Sequence, residues 1–102
     1  MHLKYFKDQI HSELNDSVNY LKKAIDVFAE HPDWAKKFKE ISDSRERTAT
    51  ELYTLFVQSC SEMKGQETYI SSIRDAIVDN FSISIRKIED YEVIYNMMVI
   101  NK

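Results

Sequence analysis

The chain has 102 residues, 30% of them charged and 43% hydrophobic, which fits a single globular domain over residues 1–102 rather than a disordered tail. Its formal net charge of −3 argues against a nucleic-acid partner, which requires a basic patch to replace condensed counterions. No segment approaches the roughly twenty apolar residues of a membrane span, so no membrane partner is expected. The chain contains only one glycine and one proline, the residues that most often form turns, so we expect a few long secondary-structure elements.

The only cysteine, Cys60, excludes an internal disulfide and fits a reducing compartment. Its place beside an apolar helical stripe predicts a small core residue. The first residues, MHLKYFKDQIHSEL, are amphipathic and carry charge throughout, a pattern that is not typical of a signal peptide. We therefore expect a cytoplasmic protein, or one delivered by a route that leaves no cleavable signal.

The first predicted element is a helix from about Leu3 to Ala29. Its apolar residues recur every three or four positions, with Ser17 inside the same stripe. The turn at residues 30–33 follows, because the residue before a proline is pushed out of helical geometry. So short a connection predicts an antiparallel helical hairpin. The stripe consists of Leu3, Phe6, Ile10, Leu14, Val18, Leu21, Ile25 and Phe28.

The second predicted helix runs from Trp34 to about Met63. Pro32 is expected in its first turn, Asp33 as its N-cap, and Gly65 just past its end. About thirty helical residues span roughly 45 Å, so this helix should form one column of a bundle. Its predicted apolar stripe consists of Trp34, Phe38, Ile41, Leu52, Leu55, Phe56 and Met63.

Arg45 falls in the middle of the stripe of the second helix, with Ser42, Thr48 and Ala49 beside it. An unpaired charge in that position would cost several kcal/mol if buried. Arg45 therefore needs a carboxylate partner, a route to water or a neighbouring subunit. This short polar segment within the apolar stripe is the first place where we expect a functional residue, and Arg45 is a candidate for binding a partner.

The third predicted helix carries Tyr69, Ile70, Ile73, Ile77 and Phe81 at helical spacing. The segment 79–85 is ambiguous, because its apolar residues alternate as in a strand, yet a lone short strand would have no partner. We predict a kink or a short break there, with Ser82 or Ser84 capping a last helix that ends near Ile100.

The segment 91–100 is apolar on nearly every side of its helix, and such a helix is normally buried on every side. One small hairpin cannot surround it, so the pattern predicts a contact with another chain; a frayed end is the other interpretation. The predicted partner is a second copy, giving a homodimer, together with a protein partner. The candidate contact residues in this segment are Tyr91, Ile94, Tyr95, Met97 and Met98.

Catalytic patterns are weak. The sequence has no glycine-rich phosphate loop, cysteine pair or nucleophile elbow, so we expect neither an enzyme nor a cofactor. His2, His11 and His31 lie at the start, on an edge and in a turn, and they do not converge. No metal site is expected in the first interpretation. The alternative is a carboxylate site between subunits, built from Glu13, Glu46, Glu89 and Glu92.

From about Leu14 to Gln58 the chain resembles the first helical hairpin of bacterial ferritin-like proteins of the non-haem, rubrerythrin-related kind. The residues that carry this likeness are Tyr20-Leu21-Lys22-Lys23-Ala24, the turn Glu30-His31-Pro32-Asp33, Phe38, and Arg45-x-x-x-Ala49-x-Glu51-Leu52. The likeness is greatest to a branch of this family in which an arginine and a small residue replace metal-binding residues. The segment Ile88-Glu89-Asp90-Tyr91-Glu92-x-x-Tyr95 is similar to the last helix of that branch.

The chain departs from this family in two ways. Its second helix reads Glu46-Arg47-Thr48-Ala49, with alanine where the Glu-x-x-His iron motif has histidine, and its second half is shorter than a complete helix pair. The resemblance thus implies an all-α, three- to four-helix up-and-down bundle, ferritin-like, without an intact di-iron motif. It also implies that dimerisation completes the bundle.

These observations favour a non-catalytic helical-bundle interaction protein that acts by self-association and by binding a protein partner. Inhibitor, immunity and adaptor proteins are often small, acidic and helical. The second interpretation is a ferritin-like metal-binding protein with the inter-subunit carboxylate site. A third resemblance, to small secreted hairpins of the Trp-x-Gly type, is ranked last, because Trp34-Ala35-Lys36 lacks the glycine.

Overall fold

The computed structural model describes residues 3–63 and 65–102, which form three α-helices. These are α1 (Leu3–Val27), α2 (Pro32–Glu62) and α3 (Glu67–Ile100). Within the described residues there is no β-strand, so the prediction of an all-α fold is confirmed. None of the helices in these two ranges contains a stretch that is long and apolar enough to cross a membrane.

The start of α2 lies two residues earlier than predicted. The backbone N–H of Ala35 donates to the carbonyl of His31 at 3.0 Å, so His31 is the N-cap and Pro32 is the first helical residue. Proline suits that position because its φ is already helical and its missing N–H would have had no partner. The prediction of Asp33 as N-cap is therefore wrong, and Asp33 lies in the acidic first turn. Gly65 (φ +80°) lies in the turn before α3.

The predicted inward stripe of α1 is confirmed. Five of its residues are buried and form part of the hydrophobic core: Leu3, Ile10, Leu14, Val18 and Leu21. Phe6, Ile25 and Phe28 are partly buried against that core. The apolar side chains repeat every three or four residues, so burial of one face accounts for where this helix packs.

Small residues hold α1 and α2 close together. Ser17 Oγ donates to the Ser42 carbonyl at 2.9 Å, and Ser42 Oγ donates to the Ser17 carbonyl at 2.7 Å. Side chains that bond directly to the backbone of the facing helix require a close approach of the two helices. Buried alanines on the same faces permit this approach: Ala24, Ala35 and Ala49.

The predicted apolar stripe of α2 is wrong for three of its large residues. Trp34 is 56% exposed, Leu55 49% and Ile41 37%. The buried row instead repeats every seven residues and is mostly small: Ala35, Ser42, Ala49 and Phe56. The close contact with α1 excludes bulky side chains from the middle of the interface, so the large residues are turned toward its edge and toward solvent.

Helix α3 is continuous, so the predicted break at 79–85 is wrong. Ser84 is buried and faces the other helices, in register with the buried residues Ile77 and Ile88, while Ile83 is 58% exposed. Packing of one face over the whole length of the helix therefore overrides the local preference of serine and β-branched residues.

The molecule is a rod measuring 56 × 18 × 15 Å. Helix α3 packs along α1, where the ring of Tyr95 meets the edge of Phe28 at 5.9 Å between centroids. Helices α2 and α3 are joined by long side chains, such as the Tyr53 and Phe81 rings at 5.5 Å.

Candidate functional site

Arg45 has a carboxylate partner, which is one of the three arrangements that the sequence predicted for its charge. Its Nη1 donates to both carboxylate oxygens of Glu13 on α1, at 3.3 and 3.4 Å. The Arg45 side chain is 43% exposed, whereas that of Glu13 is 14% exposed. Arg45 therefore has both an ion-pair partner and a route to water, and water screening limits the contribution of the pair to about 1 kcal/mol.

The four carboxylates of the alternative metal site do not share one position in the chain. Burial, Glu92, Asp43 and Glu89, in that order of importance, raise the pKa of Glu46, so these carboxylates lie near one another between α2 and α3. Glu13 instead lies beside Arg45. Among residues 3–63 and 65–102, no three His, Cys, Asp or Glu side chains are grouped closely enough to hold a metal ion.

Lys39 partly compensates the charge of these carboxylates. Its Nζ forms ion pairs with Asp43 and, at 3.8 Å, with Glu92 of α3. The Lys39 side chain is only 17% exposed. An ammonium group held among carboxylates in this way joins α2 to α3, which is a structural role that requires no ligand.

The histidines do not form a catalytic group. His31 stacks on Trp34 at 3.8 Å between ring centroids. Burial and the nearby Lys7 lower the pKa of His11, so its ring is neutral at pH 7. Its Nε2 is a buried atom without a hydrogen-bond partner among the described residues, as is Oδ1 of Asn80. His2 lies outside the described residues.

Cys60 lines an apolar cavity of about 380 Å³ between the end of α2 and the start of α3. Phe56, Ile70 and Arg74 also line it. Burial raises the pKa of the Cys60 thiol, which keeps it protonated at neutral pH. A protonated thiol is a poor nucleophile, so this geometry agrees with the predicted packing role.

The C-terminal part of α3 exposes several large apolar side chains. Of the residues predicted there, Ile94 is 45% exposed and Met97 56%. Tyr91 and Met98 are half-buried, and the ammonium of Lys22 lies 5.6 Å from the centroid of the Tyr91 ring. These side chains lie on different sides of α3 within three turns of its end.

Tyr95 does not belong to this exposed cluster. It is only 7% exposed, because its ring packs against Phe28 of the same chain. Its assignment to a partner-binding surface is therefore corrected to a core role. Ile88 and Tyr95 are seven residues apart and therefore lie on the same side of the helix. This spacing in the sequence could have distinguished the buried residues of the segment from the exposed ones. The exposed apolar residues that the sequence interpretation did not select are Ile83, Val93, Val99 and Ile100.

Comparison with protein-family models, curated proteins and solved structures finds no match for this chain. The fold and the surface described above define an all-helical bundle with an exposed apolar helix end. The ferritin-like resemblance stays a prediction.

Proposed function

We propose that this chain is a non-catalytic helical-bundle protein that acts in the cytoplasm by self-association and by binding another protein, as an inhibitor, immunity or adaptor protein does. One observation carries the proposal: the last turns of α3 expose five large apolar side chains. Four of them, Val93, Ile94, Met97 and Ile100, lie on one side of the helix at about 100° per residue, and a contiguous apolar patch on a small protein is typical of an interaction surface. The exposed fractions are 59% for Val93, 45% for Ile94, 56% for Met97, 45% for Val99 and 79% for Ile100.

The end of α3 is held in place, which argues against the frayed-end interpretation. Tyr95 anchors it on Phe28, and the backbone N–H of Asn101 donates to the Met97 carbonyl at 3.0 Å. The apolar side chains around Tyr95 are therefore presented on a part of the helix that packs on α1, and such preorganisation lowers the entropic cost of binding. A second chain that covers them would gain burial of apolar area, the main driving force of association.

The second part of the proposal concerns the protein partner. Arg45 is 43% exposed and uses one guanidinium nitrogen for Glu13, which leaves further donors for a carboxylate on another protein. Arginine is enriched at interface hot spots for this reason. We keep Arg45 as the candidate contact for that partner and the end of α3 as the contact for self-association.

The test is a pair of substitutions in α3, I94E together with M97E. Two buried charges would each cost several kcal/mol in an apolar interface, so the variant should lose self-association. Light scattering after size-exclusion chromatography measures the mass, and circular dichroism checks the helical fold. The control is L55E, which places a single glutamate at a similarly exposed apolar residue of α2. Equal masses for the wild type, I94E/M97E and L55E would refute the proposal.

A ferritin-like, up-and-down bundle that binds metal between subunits remains the alternative. It is favoured by the raised pKa of Glu46, to which the charges of Glu92 and Glu89 contribute, but no three carboxylates within residues 3–63 and 65–102 lie closely enough together to hold a metal ion in one chain. It ranks second because Glu13, its fourth carboxylate, is engaged by Arg45.

A further inference from the structure

A second row of side chains runs along α3, outside the row that faces the other helices. Its members are alternately four and three residues apart, which is the spacing of a coiled-coil seam. At about 100° per residue the row lies roughly 120° around the helix from the buried residues. It consists of Ala76, Asn80, Ile83, Lys87, Asp90, Ile94, Met97 and Asn101.

The central part of this row faces solvent. Ile83 is 58% exposed, Ile94 45% and Met97 56%, and both Lys87 and Asp90 are exposed. Neither Lys87 nor Asp90 forms a salt bridge with another residue in the part of the chain that the structure describes. The row therefore combines apolar side chains with two charges that have no assigned partner in these ranges.

The row is self-complementary about a point between Ile88 and Glu89. Lys87 and Asp90 lie equally far on either side of that point, and so do Ile83 and Ile94. When two identical helices pack antiparallel about a two-fold axis there, Lys87 of each copy meets Asp90 of the other, and Ile83 meets Ile94. The outer pairs are Asn80 with Met97 and Ala76 with Asn101.

We propose that the occupant of this face is a second copy of the chain, packed antiparallel along α3 with the two-fold axis between Ile88 and Glu89. This inference rests on the proposed self-association and adds its geometry. Charge complementarity selects the orientation: a parallel, in-register pair would place Lys87 against Lys87 and Asp90 against Asp90, which is repulsive. An antiparallel pair instead forms two attractive contacts and uses one surface patch on both copies, as a two-fold interface requires.

The flanking apolar residues extend this interface on one side. Val93 and Ile100 lie about 100° around the helix from the row, at the end that Ile94 and Met97 also occupy. In the antiparallel dimer each end of the interface therefore brings the apolar end of one α3 beside the middle of the other. The two central ion pairs fix the register between these apolar ends.

The experiment exchanges the central charges, and the dimer dissociation constant is measured by analytical ultracentrifugation. K87D and D90K should each raise this constant about tenfold, because each variant replaces two ion pairs by two like-charge contacts of comparable size. The double variant K87D/D90K restores both attractive contacts and should return the constant to near the wild-type value. The control K36D makes the same change of charge at an exposed lysine of α2 and should leave the constant unchanged.

The outcomes separate the register from self-association itself. Weakening in both single variants and recovery in the double variant support the antiparallel register. If the wild type dimerises and I94E/M97E prevents it, but K87D and D90K bind as tightly as the wild type, the register is wrong and self-association stands. A double variant weaker than either single variant also overturns the register. A wild-type chain that stays monomeric overturns both proposals.

Discussion

Replacing Ser42 by leucine tests the close contact between α1 and α2. Ser42 is 1% exposed, and its Oγ lies 2.7 Å from the Ser17 carbonyl oxygen of the facing helix. Leucine would replace the hydroxyl oxygen by three carbon atoms where the two backbones approach. Overpacking of a filled interface costs about 1–3 kcal/mol, and loss of the hydrogen bond adds about 1 kcal/mol. We therefore expect S42L to lower the free energy of unfolding by about 2–4 kcal/mol.

Alanine at the same position separates packing from hydrogen bonding. S42A also loses the bond to the Ser17 carbonyl, but alanine gains about 0.5 kcal/mol in helix propensity and fits the available space. The net change should stay within about 1 kcal/mol. A large effect of S42L beside a small effect of S42A would identify space, rather than polarity, as the constraint on this position.

Thermal unfolding followed by circular dichroism measures these changes. For a domain of this size, 1 kcal/mol shifts Tm by about 4–8 °C, so S42L should lower Tm by at least about 8 °C. The matched control is S44L on the exposed side of α2, where the change should stay within about 0.5 kcal/mol. If S42L unfolds at the same temperature as S44L, the two helices are not in close contact at Ser42.

Two further predictions concern α2 and α3. Because the pKa of Glu46 is raised in the folded chain, protonated Glu46 stabilises the fold below its ordinary pKa, and this stabilisation is lost as the pH rises through the raised pKa. At pH 7 the ionised Glu46 therefore destabilises the fold, and E46Q should increase the free energy of unfolding by up to about 0.5 kcal/mol, a value kept small by water screening. Near pH 4, where Glu46 is protonated, E46Q should give no gain. Equal urea midpoints for E46Q and the exposed control E51Q at pH 7 would refute this. Y95A should lower stability by about 3 kcal/mol because its ring is buried against Phe28, whereas Y69A at an exposed position should change it little; equal Tm values would contradict the core role of Tyr95.

Much of the fold could be predicted from the sequence, because large apolar residues repeat at helical spacing. Leu3, Ile10 and Leu14 are buried as that pattern predicts. The sequence predicted that Arg45 needs a carboxylate, a route to water or a neighbouring subunit, but the identity of Glu13 as its partner depended on how the two helices pair. A single sequence shows which face of a helix is buried more readily than how closely that helix approaches its neighbour.

The wrong predictions have a common physical cause. Hydrophobic periodicity gives weight to large side chains such as Trp34, whereas the closest helix contact selects small ones such as Ser42 and Ala49. The predicted break near Ser84 failed for a related reason, since packing of a whole helix face outweighs local propensity. Tyr95 was assigned to a partner surface because the segment is apolar on every side, although its helical spacing from the buried Ile88 places it on the side of α3 that packs on α1.

The mass of the wild-type protein in solution tests the central claim most directly. Sedimentation equilibrium over a range of concentrations should give twice the 12.1 kDa of one chain at the upper end and a reversible fall toward one chain on dilution. The exposed apolar side chains of α3 would then be covered by the second copy. A mass of 12.1 kDa at every concentration would contradict self-association and the function proposed from it.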